Sequence, residues 1–498
     1  MEAAMKLRRL QIEGYKNINA CDIDFTQSPL INAVIGSNGS GKSNLIEAII
    51  QILVGCYFEK APRFEFRIEF EAQNRVVVLQ REGRTTTVMV DGERMPLDHF
   101  AKRLRDGPAQ VFYPELTLVY YSGECQRIQQ LVARYRRHFQ KLTRNPETDR
   151  FRPLFVQSSN AQSQVILLAL FAHGHRDLLA HLELKEIIDV RIVLRSPGGF
   201  DPERHEPKLW NTEGAIRRIV AALDETANDQ NTVGRTKHIS ESSSGQKEIT
   251  KHATHKEQRT YYFSEGGRGG IHELARRLDG AGDNIYLAIE SLRARGMFQS
   301  VSFRLRGRNA QEPFLFDQLS EGEKQLLAVV GAVRLTNQKD NLVLLDEPDT
   351  HLNPCWSWDY PSMLAEAFGP DPLQRSTVLM ATHDPVMISG MVREQVVLAQ
   401  KPTPEQPLFS RPRRNPRGQG VANLLCSSEF FGLPSSLDKE TQKLMDERLA
   451  ISIKLKLTAG DKARLKALNE QLEILPGVSE RDPDYVAFLR QRHPANQT

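Results

Sequence analysis

Eight residues near the N-terminus, Gly36-Ser37-Asn38-Gly39-Ser40-Gly41-Lys42-Ser43, form a glycine-spaced stretch ending in a lysine and a hydroxyl. The pattern GxxxxGK[ST] is a phosphate cradle when it follows a buried strand and opens a helix. Gly36, Gly39 and Gly41 let backbone N–H groups turn toward phosphate oxygens, with Asn38 and Ser40 between them. The helix start adds the positive end of its dipole. Lys42 is expected to neutralise β- and γ-phosphate oxygens, and Ser43 to ligate Mg2+. The implied ligands are ATP and Mg2+.

Three more groups could complete that chemistry. Asn341-Leu-Val-Leu-Leu-Asp346-Glu347 ends an apolar run with two adjacent carboxylates. Asp346 is suited to hold the Mg2+ shell, and Glu347 to polarise an attacking water. Leu319-Ser320-Glu321-Gly322-Glu323-Lys324-Gln325 precedes a helical pattern. Ser320 and Glu323 have the spacing of a capping box, and the same loop offers the Ser320 hydroxyl and the Gly322 N–H to an anion. Thr382-His383-Asp384 follows a strand pattern, so His383 could contact a γ-phosphate or hold the nucleophilic water. A lone histidine is more often structural, and only its position beyond Asp346 and Glu347 favours the catalytic role.

The elements that must hold these residues follow from periodicity. Residues 6–36 read as three strands, the last apolar and ending at Gly36. After the loop, Leu45, Ile46, Ile49, Ile50 and Leu53 have helical spacing. Residues 64–96 alternate as strands, with Asp91-Gly92 where a hairpin turn belongs. Within 317–400, helical patterns over 321–337 and 359–368 alternate with strands over 342–346, 376–381 and 394–399. That alternation implies an α/β layer with a parallel sheet. From 126 the character is mostly helical, returning to strand over 187–195 and at VSFRLR (301–306), and 224–261 is polar with few apolar anchors, as in a long loop or a poorly ordered segment. Five prolines from Pro402 to Pro416 mark a linker, and 435–475 has charged helical periodicity.

The order of phosphate loop, signature loop, carboxylate strand and switch histidine resembles the ABC ATPase superfamily. The opening KLRRLQIEGYKNINACDIDF resembles the RecF-, SMC- and Rad50-like group, with a segment between Gln126 and Leu319 too short for long coiled-coil arms. The resemblance implies four segments: 1–125 as an N-lobe, 126–316 as a largely helical insert, 317–400 as a C-lobe and 401–498 as linker and helical tail. The fold class is thus an ABC-type P-loop ATPase with an antiparallel β layer. The resemblance also implies that Asp349 and His351 form a loop at a dimer interface, and that Ser320 and Gly322 face the partner's ATP. It calls for a Mg2+-touching glutamine near the end of the N-lobe. Gln126 is the best candidate, with Gln129 and Gln130 as alternatives.

YYSGECQR, DQLSEGEKQLL, LLDEPDTHLNP, ATHDP and the tail GVANLLCSSEFFGLP are together similar to the PtuA ATPase of Septu-type anti-phage systems, including retron-linked forms. That similarity implies an oligomeric ATPase associated with an HNH nuclease. No nuclease centre is expected in this chain. His173 and His175, and His252 and His255, read as solvent-facing pairs without carboxylate partners.

Bulk properties narrow the alternatives. With 66 Lys and Arg against 62 Asp and Glu, the net charge of +4 does not by itself require nucleic acid. Basic clusters at Arg134, Arg136 and Arg137, and at Arg411, Arg413, Arg414 and Arg417, leave DNA or retron RNA/DNA as possible partners. Five scattered cysteines without CxxC spacing fit a reducing cytoplasm. The start MEAAMKLRRL lacks a signal-peptide core, and no run of about 18 apolar residues suggests a membrane span. Two functions therefore compete: a regulatory ATPase controlling a separate nuclease in a defence complex, and a RecF-like clamp that binds DNA in an ATP-dependent way.

Overall fold

A computed structural model of the protein describes residues 5–106, 112–122, 126–142, 155–158, 162–197, 209–239, 253–263, 270–280, 284–307, 312–336, 340–369, 376–400, 408–454 and 456–473. In chain order, β1 (Lys6–Tyr15), β2 (Ile18–Asp24) and β3 (Ile31–Ile35) lead through the glycine loop into α1 (Lys42–Tyr57). Strands β4 (Glu65–Ala72), β5 (Arg75–Glu82), β6 (Thr85–Val90) and β7 (Glu93–Met95) follow. Next come α2 (Leu97–Asp106), β8 (Leu116–Tyr121), α3 (Gln126–Leu142) and β9 (Phe155–Ser158). The middle of the chain holds α4 (Ser163–Ala172), α5 (Arg176–His181), β10 (Leu184–Arg195), α6 (Gly214–Thr226), β11 (Asp229–Ile239) and β12 (Ala253–Phe263). It continues with α7 (Gly270–Gly280), α8 (Ile285–Ala294), β13 (Phe298–Gly307) and β14 (Phe314–Leu315). Then come α9 (Glu321–Leu326), a π-helical turn over Leu327–Gly331, α10 (Ala332–Thr336), β15 (Asn341–Asp346), α11 (Pro354–Ala367), β16 (Ser376–Thr382), α12 (Pro385–Ile388), β17 (Val396–Ala399) and β18 (Phe409–Ser410). Helices α13 (Val421–Cys426), α14 (Lys439–Ser452) and α15 (Ala459–Glu473) end the described chain.

Two compact units result, Met1–Gln419 and Gly420–Thr498. The centre of the first is a seven-stranded sheet of order β18-β17-β3-β16-β15-β8-β9, parallel from β17 to β9. A parallel sheet is covered on both faces, so its strands read as unbroken apolar runs. Strands β3, β15 and β16 are buried along their whole length. Above it lies the antiparallel layer β2-β1-β4-β5-β6-β7, with the Asp91-Gly92 turn in the left-handed region at both residues. Helix α1 packs against β1 of that layer and against β15 and β16 of the central sheet. It is therefore buried all round, including Ala48 and Ile52, rather than on one stripe. Each of its Leu and Ile side chains contributes about 1.5–3 kcal/mol of burial.

Two expectations for the middle of the chain need correction. The segment between the lobes is not largely helical. It also holds the antiparallel sheet β11-β12-β10-β13-β14. The polar stretch 224–261, where described, is not a loop: it supplies the end of α6 and then strands β11 and β12, which pair with each other, and residues 240–252 lie outside the described residues. Its polarity has a physical reason: β11 is an edge strand, where apolar residues are a liability. The inner strand β12 buries Tyr261 and Phe263 instead. The central sheet also runs past residue 400, since Phe409 and Ser410 pair with β17.

In the second unit, Asp438 caps α14 by accepting from the Glu440 and Thr441 N–H groups, both at 3.0 Å. Arg464 of α15 donates twice to Glu447 of α14, each at 2.7 Å. Among the described residues no helix is long and apolar enough to cross a membrane.

Leu344 lies wholly buried in β15, between β8 and β16. Leu344→Ala is expected to cost about 2–5 kcal/mol, read as a lower denaturant midpoint at unchanged slope. A shift under about 1 kcal/mol would show that the sheet relaxes around the lost side chain.

Candidate active site

Strand register brings the motifs together. Ile35 of β3 lies beside Thr382 of β16, Ala381 beside Asp346 of β15, and Asp346 beside Tyr121 of β8. The phosphate loop, the carboxylate pair and the switch histidine therefore leave one edge of the sheet at one level. That edge is formed by the carboxyl ends of parallel strands, where open α/β sheets bind ligands.

The loop itself is held closely. A Cβ on Gly36 would lie 2.0 Å from the Ala399 carbonyl oxygen, so the end of β17 admits only glycine there. Gly39 and Gly41 sit at φ 79° and 99°, the left-handed region open to glycine. The Lys42 ammonium donates to the Gly36 carbonyl at 2.8 Å and the Ser37 carbonyl at 3.3 Å. Burial pushes its pKa down from the usual lysine value, while Glu347, Asp346 and Asp349 pull it back up. Ser40 is buried and its hydroxyl has no hydrogen-bond partner among the described residues.

Ser43 and Asp346, far apart in sequence, meet: the Ser43 hydroxyl donates to Asp346 Oδ1 at 3.0 Å. Asp346 Oδ2 is buried and has no hydrogen-bond partner among the described residues. An orphaned carboxylate oxygen beside a hydroxyl suits a hard cation, so these residues fit Mg2+. Among the described residues no group of three or more His, Cys, Asp or Glu could hold a metal alone. A cation bound through Ser43 and Asp346 would take its remaining oxygens from nucleotide phosphates and water. Burial raises the Asp346 carboxyl to about 6.

Glu347 stands immediately past the strand with φ 51°, a costly conformation for a residue with a side chain. Three contacts fix it. Its N–H donates to the Ala381 carbonyl at 2.9 Å. Its carbonyl accepts from the Thr350 hydroxyl at 3.0 Å and from Gln325 Nε2 at 3.4 Å. His383 Nδ1 lies 3.6 Å from Glu347 Oε1, so the expected base and the switch histidine are neighbours.

Ser320 caps α9 in a capping box, its hydroxyl donating to Glu323 Oε2 at 2.7 Å while Glu323 N–H donates back at 3.2 Å. A Cβ on Gly322 would fall 2.6 Å from the His351 carbonyl oxygen, so the signature loop packs on the 349–351 loop. Asp349 is buried and accepts from the Thr382 hydroxyl at 2.7 Å, whereas His351 is exposed. Burial raises the Asp349 carboxyl, and the Thr382 hydroxyl opposes that rise. Gln126 begins α3, but its side chain, like that of Gln129, lies outside the described residues.

His173 departs from expectation. The residue is half-buried with its side chain only 8% exposed, and its Nδ1 pairs with Asp279 Oδ2 at 3.1 Å while its Nε2 accepts from Ile285 N–H at 3.2 Å. That arrangement joins helices α4, α7 and α8 and is structural. His252 and the His255 side chain lie outside the described residues. Two site contacts carried no signal in sequence. Asn17 donates to the Gly39 carbonyl at 2.9 Å and accepts from Asn44 at 2.7 Å, bracing the phosphate loop from the β1–β2 turn. Gln325 was visible only as a polar residue opening an apolar helical run.

A model of the AAA domain family matches residues 9–259, half of the chain. A second, whose description mentions the AbiEii toxin and a Type IV TA system alongside the AAA domain, matches residues 214–389. Over 57 residues the chain is 44% identical to the DNA replication and repair protein RecF of Haemophilus influenzae, covering 11% of this chain and 15% of that protein. Over 163 residues it is 23% identical to the Septu protein PtuA of Bacillus mycoides, covering 31% of this chain and 22% of that protein. The chain thus spans less than a quarter of either relative. Among solved structures, the recombination mediator RecF with ATP aligns with a TM-score of 0.32 and 13% identity, over 82% of this chain and 99% of that one. An Smc head bound to the C-terminal winged-helix domain of ScpA aligns with a TM-score of 0.33 and 12% identity, over 79% and 93%.

Unfolded Asp346 releases its proton near 3.8, whereas the folded protein keeps it to about 6. Between those values the fold binds more protons than the unfolded chain, so this group lowers stability as pH rises through the window. Without nucleotide or Mg2+, Asp346→Asn is expected to remove that loss. Unfolding midpoints from roughly pH 4 to 7 would then fall less steeply for the variant. Parallel profiles would remove the burial effect.

Proposed function

This chain belongs to the AAA domain family, and from that premise we propose that it is an ABC-type ATPase that hydrolyses ATP to ADP and phosphate. The observation that carries the reading is the convergence of Ser43, Asp346, Glu347 and His383 at one sheet edge, beside a loop built from Gly36, Asn38, Gly39, Ser40, Gly41 and Lys42. Loop N–H groups and Lys42 bind the phosphates. Glu347 accepts a proton from the attacking water as it adds to the γ-phosphorus, and His383 orients that water and the carboxylate. Ser43 and Asp346, with Gln126 as a further ligand, are the residues that would hold Mg2+. When bound, the ion would neutralise charge on the phosphate oxygens. Ser320 and Gly322 complete the ATP site of a second copy, so ATP closes a homodimer or larger oligomer, with Asp349 and His351 in the loop behind the interface.

The biological role we favour is a cytoplasmic regulatory subunit of an anti-phage defence complex, acting on a separate HNH nuclease. The similarity to the Septu protein PtuA supports it. The RecF similarity favours a second reading, an ATP-dependent clamp on DNA.

Lys42→Ala is expected to abolish tight ATP binding. Glu347→Gln is expected to keep binding, lose hydrolysis by about 10²-fold or more, and accumulate a dimer in ATP seen by light scattering. Unchanged hydrolysis in Glu347→Gln would remove the base assignment.

A pull-down of tagged Glu347→Gln protein with ATP separates the two roles. Recovery of an HNH nuclease supports the defence role. Recovery of DNA with recombination proteins, and no nuclease, supports the clamp.

A further inference from the structure

Gln325 is fully buried in α9, yet it is polar, in a helix that continues as Leu326, Leu327, Ala328, Val329 and Val330. A buried amide costs free energy unless its donor and acceptor are both used. Here both are. Gln325 Oε1 accepts from the His351 N–H at 3.1 Å, and Gln325 Nε2 donates to the Glu347 carbonyl at 3.4 Å. One side chain of the signature helix therefore holds the main chain on either side of the Pro348–Thr350 turn.

The second observation is the strain at Glu347. Its φ of 51° persists only if the surroundings over-determine it. The Ala381 carbonyl holds its N–H, and Thr350 and Gln325 hold its carbonyl. Of these, the Ala381 contact comes from the neighbouring strand and Thr350 from the same turn. Gln325 is the contact that comes from the signature helix. Contact between the two segments is reinforced where Gly322 lies against the His351 carbonyl, with no room for a Cβ.

We propose that Gln325 is a positioning residue for hydrolysis: it couples the signature helix to the backbone of Glu347, so that the set of the signature loop decides where the base stands. Gln325 is buried, and its side chain bonds the main chain of Glu347 and His351. It acts through Glu347, and the inference rests on the reading of Glu347 as the base. It follows that engagement of the signature loop by a second copy's ATP and alignment of the base are one event.

The test uses the full chain and measures ATP affinity, single-turnover hydrolysis and thermal stability for the parent, Gln325→Met, Gln325→Glu and Glu347→Gln. Gln325→Met keeps the length and loses both hydrogen bonds. Gln325→Glu keeps the acceptor for His351 N–H but faces the Glu347 carbonyl with oxygen. Both variants are expected to bind ATP within about twofold of the parent and to hydrolyse it roughly ten- to a hundredfold more slowly. In the Glu347→Gln background, Gln325→Met is expected to cause no further slowing, because the group it positions is already gone.

Three results would overturn the proposal. One is an unchanged rate in both Gln325 variants that fold. Another is a loss in ATP affinity that matches the loss in rate, which marks a merely structural role. The third is full additivity with Glu347→Gln. If the parent hydrolyses no ATP, the ATPase reading and this inference fall together. If the parent hydrolyses ATP and Glu347→Gln does not, but Gln325→Met does so normally, only the inference falls.

Discussion

The register of parallel strands is the constraint on which the site depends. Ile35, Thr382, Ala381 and Asp346 stand level only because β3, β16 and β15 pair without a slip. A one-residue shift would turn every side chain to the opposite face. These strands are buried throughout, so their Ile, Val, Leu, Met and Ala side chains are a packing matter, while most of their polar residues stand at or just past the strand ends. Apolar packing and polar chemistry thus divide the same strands end from middle.

The polar groups at that edge are held at an energetic cost. Lys42 and Asp346 are both buried, and burial pushes their pKa values in opposite directions, each toward the neutral form. Among the described residues, one oxygen of Asp346 and the Ser40 hydroxyl have no partner. Glu347 adds a strained backbone. A site stabilised for its own sake would have none of these. Such groups suit a charged ligand that would supply their missing partners. Contacts from outside the four motifs share the load, as with Asn17 on the phosphate loop and the Ala399 carbonyl at the end of β17 against Gly36.

Much of this was legible in sequence because the chemistry sits in short runs. Gly36 to Ser43, Ser320 to Gln325, Asp346-Glu347 and His383 each carry their own local context, and the apolar runs before them announce buried strands. What escaped has long-range causes. Asn17, Gln325 and His173 owe their roles to Gly39, Glu347, His351 and Asp279, partners that no spacing rule reveals. The β11–β12 pair of the middle sheet escaped for another reason, whereas β10 and β13 were legible as strand patterns. Polar edge strand β11 has the composition of a loop, and β12 shows its apolar side only at Tyr261 and Phe263. Gln126 stays as sequence left it, a candidate whose side chain is outside the described residues.

The strand order also has a consequence for biosynthesis. β3 carries the phosphate loop, yet its neighbours on both sides, β16 and β17, come from Ser376–Thr382 and Val396–Ala399. At roughly 5–20 residues per second, a ribosome takes on the order of tens of seconds to reach them. During that interval the apolar strand Ile31–Ile35 has two unpaired edges. The hazard of misassembly is therefore concentrated in the nascent chain, and a holdase that shields residues 31–35 would protect the protein more than one acting after release.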